Sequence, residues 1–412
     1  MSEEYDAIVI GSGPAGATVS GLLAKWGRRV LALEKEKFPR YHIGESLVPG
    51  CMPILEELGV ASIVEASGAT KKYGISFIWG EDPDPWSVDF DEICPHPYAF
   101  EVKRAEFDSL LLANSRTLGA TVIEEAAVRD FVFEDGRCTG VRYTRGRSDT
   151  VTEARARFVI DASGQAKLLA RRFGTVAWHD DLKNLAAWTY FQGGSRLEGR
   201  KAGNILVETL HPGWLWLIPF SDGSCSVGFV APAEEYKATG LTPEEVLKSK
   251  IDEAALVKRL LKGAVEVAQV RTAKDWSYTG ERMTAPGCLM TGDAAAFIDP
   301  LFSTGVMLAM RAATSAARAV NAILDRPEDE ESIRQGYETS YREFLDVVLS
   351  FVRFFYDPSK KVIEYFEEAR KLVDPDEALA ARQDFVALIS GLYGIEPIME
   401  GVPPAPMAAV AD

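Results

Sequence analysis

The sequence predicts an α/β fold, α+β overall: a layer of parallel strands and helices, an antiparallel sheet set between its segments, and a helical carboxy-terminal lobe. Three observations predict it. Residues 6–10, DAIVI, run directly into Gly11-Ser12-Gly13-Pro14-Ala15-Gly16 and then into a helical segment. Residues 204–231 alternate short apolar runs with Pro-Gly and Asp-Gly turns. Beyond residue 326, apolar side chains recur at helical spacing. The 412 residues, 47% hydrophobic and 26% charged, are enough for a large core with more than one lobe.

Composition narrows the function classes. Forty-five basic against 61 acidic residues leave a net charge of −16, which repels phosphate backbones and anionic lipid, so neither a nucleic-acid nor a membrane-surface partner is expected. The most apolar stretch, residues 344–356, is interrupted by Asp346 and Arg353 and does not suit a membrane span. The acidic start MSEEY does not read as a signal peptide, and five scattered cysteines without CxxC spacing read as reduced thiols, so a cytoplasmic protein is expected. Four histidines, none paired at i,i+4, give no metal site.

The amino-terminal segment is a nucleotide-binding unit. DAIVI is a buried parallel strand, the following segment to Gly27 a helix of small and apolar residues, and 29–33, RVLAL, a second strand ending at Glu34. Gly11 permits the tight turn, Gly13 lets a pyrophosphate approach the backbone, and Gly16 lets helix pack on strand. Ser12, Pro14 and Ala15 complete the loop, whose helix start offers free N–H groups to phosphate. Glu34, 18 residues after Gly16, stands where a carboxylate accepts hydrogen bonds from an adenosine ribose. Strand, glycines, helix, strand and acid in that order make a Rossmann-like unit, without deciding between NAD and FAD.

Two later strands carry polar ends. Residues 158–164, FVIDASG, and 288–293, CLMTGD, end in Asp161 and in Gly292-Asp293; the latter can hold a polyol hydroxyl such as a flavin ribityl chain. Between them and the first unit lies VKRAEFD, residues 102–108, with Arg104 at a helix start. The cofactor lobe is therefore expected in three pieces, 1–85, 100–175 and 270–325. Segments 86–99 and 176–269 are expected on the substrate side, and 326–412 as a helical lobe with a loose proline- and alanine-rich tail.

The middle segment divides into NILVETL, WLWLIPF and SCSVGFVA, a meander of three antiparallel strands. Alternation puts Trp214 and Trp216 on one face and Leu215 and Leu217 on the other, and Pro219 ends or bulges the strand. Taken alone, the indole pair makes a rigid, bulky wall and reads as a core pair.

These segments resemble the FAD-binding lobe of the p-hydroxybenzoate hydroxylase-like superfamily. Trp214-Leu215-Trp216-Leu217-Ile218-Pro219 is similar to the W-x-W-x-I-P signature of flavin-dependent halogenases. Residues 39–47 (PRYHIGESL), 68–80 (GATKKYGISFIWG), 161–164 (DASG) and 292–306 (GDAAAFIDPLFSTGV) resemble further stretches of that family, over most of residues 1–320. The resemblance implies FAD, used as FADH2, with O2 and chloride or bromide, to halogenate an aromatic ring in secondary-metabolite biosynthesis. It implies cofactor contacts from Gly11 to Gly16, Glu34, Arg104, Val128, Gly292, Asp293, Pro300 and Gly305, and halide contact at the backbone of Thr304 and Gly305. It also implies a barrier at Trp214 and Trp216 and a lysine that carries the oxidant past it. Lys71 and Lys72 are adjacent, so a strand turns one inward and one outward; Lys72, directly before Tyr73-Gly74, matches the family lysine better. Tryptophan halogenases carry a glutamate before Ser-Thr-Gly, where this chain has Phe302. That places it nearer the branch acting on phenols and pyrroles, free or tethered to carrier proteins. A separate flavin reductase is the implied partner. Glu45, Asp299 and His42 remain open as ring-deprotonating bases, and an aromatic hydroxylase or a geranylgeranyl-type reductase on the same fold remains the alternative.

Overall fold

The computed structural model describes residues 4–81, 84–93, 95–174, 176–373, 381–394 and 399. Cys94 and, apart from Met399, the proline- and alanine-rich tail lie outside them. Two large sheets carry the architecture. In the first, Glu4–Ile10 lies between Val30–Leu33 and Val151–Asp161, parallel to both, and Cys288–Met290 adds a further parallel strand beside Val151–Asp161. Thr121–Ile123 extends it beyond Val30–Leu33. The stretches Ala7–Ile10, Val30–Leu33, Phe158–Ile160 and Cys288–Met290 are apolar and buried, as parallel strands covered by helices must be. Register brings Ile10, Leu33, Asp161 and Met290 to one edge, so Gly11, Glu34 and Gly292 emerge together at the carboxyl ends of the strands, where this class of sheet binds its ligands.

The second sheet has nine strands. Its centre is the meander Ile205–Leu210, Gly213–Pro219 and Ser224–Pro232, flanked by the long strand Val176–Gln192 and then Arg271–Gly280. On the other side Gly74–Ile78 pairs parallel to Ile205–Leu210 and antiparallel to Trp86–Asp89. The division drawn from the sequence at 85/86 therefore runs through a paired hairpin, and the start of the 270–325 piece is a strand of this second sheet. Composition cannot reveal that pairing, because the partners are distant in the chain.

Alternation in Gly213–Pro219 sorts its side chains as the sequence predicts. Trp214, Trp216 and Ile218 join the main core shared with the nucleotide-binding layer, whereas Leu215 and Leu217 join a second core under the helix Pro243–Glu253. The helix Glu330–Phe355 buries Phe344, Val347, Val348, Phe351 and Phe355, the stripe read from the sequence. Val362–Val373 and Ala381–Ile389 pack beside it. An aromatic cluster forms there: Phe302 stacks on Phe351 and meets Phe355 edge-on at 4.8 Å between centroids, and Phe355 also stacks on Trp79. The four cysteines among the described residues are free and buried. No helix among those residues is long and apolar enough to cross a membrane.

Candidate active site

The glycine loop has the geometry its residues require. Gly11 has φ +92°, and a Cβ at Gly16 would stand 2.0 Å from the Gly11 carbonyl oxygen, so neither position accepts a side chain. Glu34 is buried, accepting Ser12 N–H at 2.7 Å and Glu36 N–H at 2.9 Å, which locks the acid against the loop. The Ser12 hydroxyl is buried with no partner, an orphan donor at the mouth of the helix Pro14–Lys25. A bound pyrophosphate would satisfy it. A cleft lined by Gly292, Asp293, Asp299, Gly305 and Leu308 continues from the same edge. The residues present thus fit FAD.

Asp293 is part-buried, and desolvation raises its carboxyl to about 6 against the opposing charges of Arg104 and Lys167. Arg104 itself is spent on the protein. Its Nε and Nη2 donate to Asp108, at 2.8 and 3.0 Å, and Nη1 donates to the carbonyls of Ile43 and Gly44. It pins the 39–47 loop against the lobe. Val128 lies half-buried on the strand Ala126–Glu134, paired with Tyr143, and Pro300 accepts Ser303 N–H.

Thr304 precedes the helix Gly305–Asp325. A Ser or Thr cap is expected there from the sequence, but no side chain caps this helix. Ser303 takes a left-handed φ of +61°, and a Cβ at Gly305 would meet nothing within 4 Å. The helix start therefore presents uncapped N–H groups beside the Gly292–Asp299 cleft, suited to an anion.

The two indoles stand side by side, 6.1 Å between ring centroids, and both are buried. Trp216 Nε1–H donates to Ser226, and its ring lies over Gly228, where any Cβ would fall 2.3 Å from it. Trp214 Nε1–H donates to the Tyr356 hydroxyl at 2.9 Å, and that hydroxyl reaches the Asp299 carboxylate at 3.0 Å. Asp299 is fully buried and raised to about 7 by burial, opposed by hydrogen bonds from Leu301 N–H, Tyr356 and Asn184. The indole pair is thus tied by hydrogen bond to the 292–306 segment.

The short strand Thr70–Lys72 separates the two lysines. Lys71 is part-exposed and pairs with Glu65 at 2.6 Å. Lys72 is wholly buried; its Nζ donates to Ser46 Oγ at 2.8 Å and to the Leu47 carbonyl at 3.0 Å. Burial lowers its ammonium to about 8, opposed by the charge of Glu101 and more weakly by Cys51. Glu45, raised to about 7 by burial, accepts the Tyr190 hydroxyl at 2.7 Å. His42 is exposed, with Nδ1 against the Ile43 carbonyl. Sequence reasoning missed Tyr356, Ser46 and Glu101. Only strand pairing and a helix from the far end of the chain bring them here, and no local signal marks them.

Comparison with known proteins agrees with this geometry. The tryptophan halogenase family model matches residues 6–97 and 92–391. A tryptophan 2-halogenase of Chondromyces crocatus is 36% identical over 94% of this chain and 76% of its own length. A 1H-pyrrole-2-carbonyl-[peptidyl-carrier protein] chlorinase of Pseudomonas fluorescens is 29% identical over 90% and 88%. Among solved structures, the myxobacterial chondrochloren halogenase, an FAD-dependent halogenase, superposes with a TM-score of 0.84 at 35% identity, covering 98% of this chain and 94% of that one. These matches favour halogenation over the hydroxylase and reductase alternatives. With an FAD cradle, a buried indole pair and an inward lysine on one scaffold, the chain belongs to the tryptophan halogenase family of FADH2-dependent enzymes.

Proposed function

We propose that this halogenase acts on an electron-rich ring of phenol or pyrrole type, free or carrier-tethered, using chloride or bromide and reduced FAD supplied by a separate reductase in the cytoplasm. The observation that carries the reading is Lys72, fully buried and brought toward neutrality, in a fold where Phe302 occupies the position of a family glutamate. Phe302 packs between Phe351 and Phe355, so no carboxylate activates the ring there; phenols and pyrroles are activated by their own OH or NH. The pyrrole-carbonyl chlorinase similarity supports that substrate class.

Bound and reduced, FAD supplies with O2 the oxidant that turns halide into hypohalous acid. Each further step belongs to the chain. The Gly11–Gly16 loop, Glu34, Gly292 and Asp293 hold the cofactor, and the Thr304 and Gly305 N–H groups hold the halide. Trp214 and Trp216 exclude bulk water and block direct passage. The Lys72 amine attacks the halogen of hypohalous acid, forming an N–halogen bond and releasing water; only the neutral amine has the lone pair to do so. Asp299 lines the cofactor cleft and anchors the indole pair through Tyr356, and the ring proton leaves to a base on the substrate side.

Incubation with reduced FAD, O2 and bromide, with phenolic and pyrrole acids supplied free and as carrier thioesters, tests this by mass spectrometry. A bromine isotope doublet on one of these rings is expected. Hydroxylated or saturated product formed without halide would overturn it.

A further inference from the structure

Lys72 has a neighbour that the reaction scheme above does not use. Thr70–Lys72 pairs antiparallel with Ala99–Glu101, Thr70 opposite Glu101 and Lys72 opposite Ala99. Lys72 and Glu101 are therefore diagonal neighbours on one face. Ser46 forms a β-bridge with Glu101, so the hydroxyl that accepts from Lys72 and the Glu101 carboxyl project side by side. Glu101 is buried, and its carboxyl lies beside the Ser46 hydroxyl and the Ile205 backbone without a full hydrogen bond from either; the Thr70 hydroxyl beside it is unpartnered. Among the described residues Lys72 makes no ion pair within 4 Å. An isolated buried carboxylate is costly unless compensated, so this acid needs either a proton or the lysine's charge.

We propose that Glu101 is the proton partner of Lys72. The lysine's proton passes to Ser46 Oγ while the Ser46 hydroxyl proton passes to the Glu101 carboxylate. One N–H bond breaks, one carboxyl O–H bond forms, the serine is regenerated and no electrons are transferred. Ammonium–carboxylate becomes amine–carboxylic acid, and the buried site keeps its net charge. The other groups facing this cluster do not replace Glu101. Cys51, on the turn Pro49–Cys51, is held protonated, its thiol pushed up to about 12 by burial. Glu45, on the Ser46 loop, already accepts from Tyr190, and Lys71 points outward to Glu65. Burial raises Glu101 to about 7, with the Lys72 charge opposing, so the two groups exchange a proton near neutral pH. The inference rests on the reading of Lys72 as the amine that receives the halogen.

FAD-loaded enzyme carrying ε-13C lysine tests it by NMR titration, the Lys72 signal being assigned by its loss in Lys72→Met. Glu101→Gln is expected to move the Lys72 midpoint down by at least about half a unit, because a neighbouring negative charge is gone. Bromination turnover should fall on the order of a hundredfold, with the flavin absorbance of the bound cofactor retained. Glu101→Asp keeps the carboxyl and is expected to restore most of both, and it carries the test if the glutamine variant fails to bind FAD. An unmoved Lys72 midpoint in Glu101→Gln overturns the proposal, as does full turnover in that variant. If Lys72→Met brominates like the wild type while Glu101→Gln still moves the midpoint, the role of Lys72 falls and the proton partnership stands.

Discussion

Replacing Lys72 by Met should abolish halogenation and change stability in a way that depends on pH. The ammonium is buried and lowered from 10.5 to about 8, a difference of about 2.5 pH units, with burial as the main cause. At about 1.36 kcal/mol per unit, the charged lysine costs the folded state about 3 kcal/mol. The sign follows from proton counting. Between pH 8 and 10.5 the unfolded lysine holds its proton and the folded one has lost it, so wild-type stability rises with pH across that window. Below pH 8 the penalty is present in full. Methionine has no such penalty at any pH, but its methyl leaves Ser46 Oγ and the Leu47 carbonyl without a donor, a loss of about 1 kcal/mol each. Near pH 7 the variant should therefore be about 1 kcal/mol more stable than the wild type. That advantage should reverse as pH rises toward 10.

Urea unfolding of the FAD-saturated pair at pH 7 and pH 10, with bromination measured on the same samples, reads both effects. Turnover should fall at least about a hundredfold with cofactor binding intact. A wild-type-to-variant stability gap that stays constant between the two pH values would refute the argument, because it would mean that the buried amine does not lose its proton early.

Two other substitutions probe the barrier and the substrate side. Gly228→Ala places a Cβ 2.3 Å from the Trp216 ring and 2.6 Å from the Trp188 Cβ. It should destabilise by about 1–3 kcal/mol and, by displacing the indole, release hypohalous acid that a soluble scavenger dye detects. Phe302→Glu buries a carboxylate between Phe351 and Phe355 in place of a stacked ring. The expected result is a loss of about 3–5 kcal/mol, measured by thermal unfolding, and no gain of tryptophan halogenation.

Much of this site could be read in the sequence, for identifiable reasons. The Gly11–Gly16 loop is legible because glycine is required where φ is positive or where a Cβ would strike Gly11 O, and such constraints sit within a few adjacent residues. The faces of Trp214 and Trp216 follow from the two-residue period of a strand; the same rule turns one of Lys71 and Lys72 inward, and only the family resemblance picks out Lys72. What stayed hidden depends on pairing across the chain. Gly74–Ile78 joins the second sheet through Ile205–Leu210, about 130 residues later, and Glu101 meets Lys72 only because two three-residue strands pair in one register. Tyr356 reaches the barrier from the end of a carboxy-terminal helix whose stripe the sequence shows but whose target it does not. Ser303 and Thr304 have capping chemistry, yet the left-handed turn at Ser303 leaves the N–H groups of the helix at Gly305 open.

On the proposed reading, the indole pair and the lysine also constrain one another chemically. Indoles are electron-rich, so a wall made of them would itself be open to attack by hypohalous acid. Both indole N–H groups are already hydrogen-bonded, to Ser226 and Tyr356, and the rings are almost wholly buried, Trp214 at 2% and Trp216 at 6% exposure. That leaves no polar edge on the wall to hold the oxidant. Lys72, with its lone pair freed once Glu101 takes the proton, offers a reactive nitrogen instead. A wall of Phe or Leu would exclude water as well, but it could not be anchored to Asp299 through Tyr356. Trp214→Phe should therefore loosen the barrier's link to the 292–306 segment while leaving its hydrophobicity nearly unchanged.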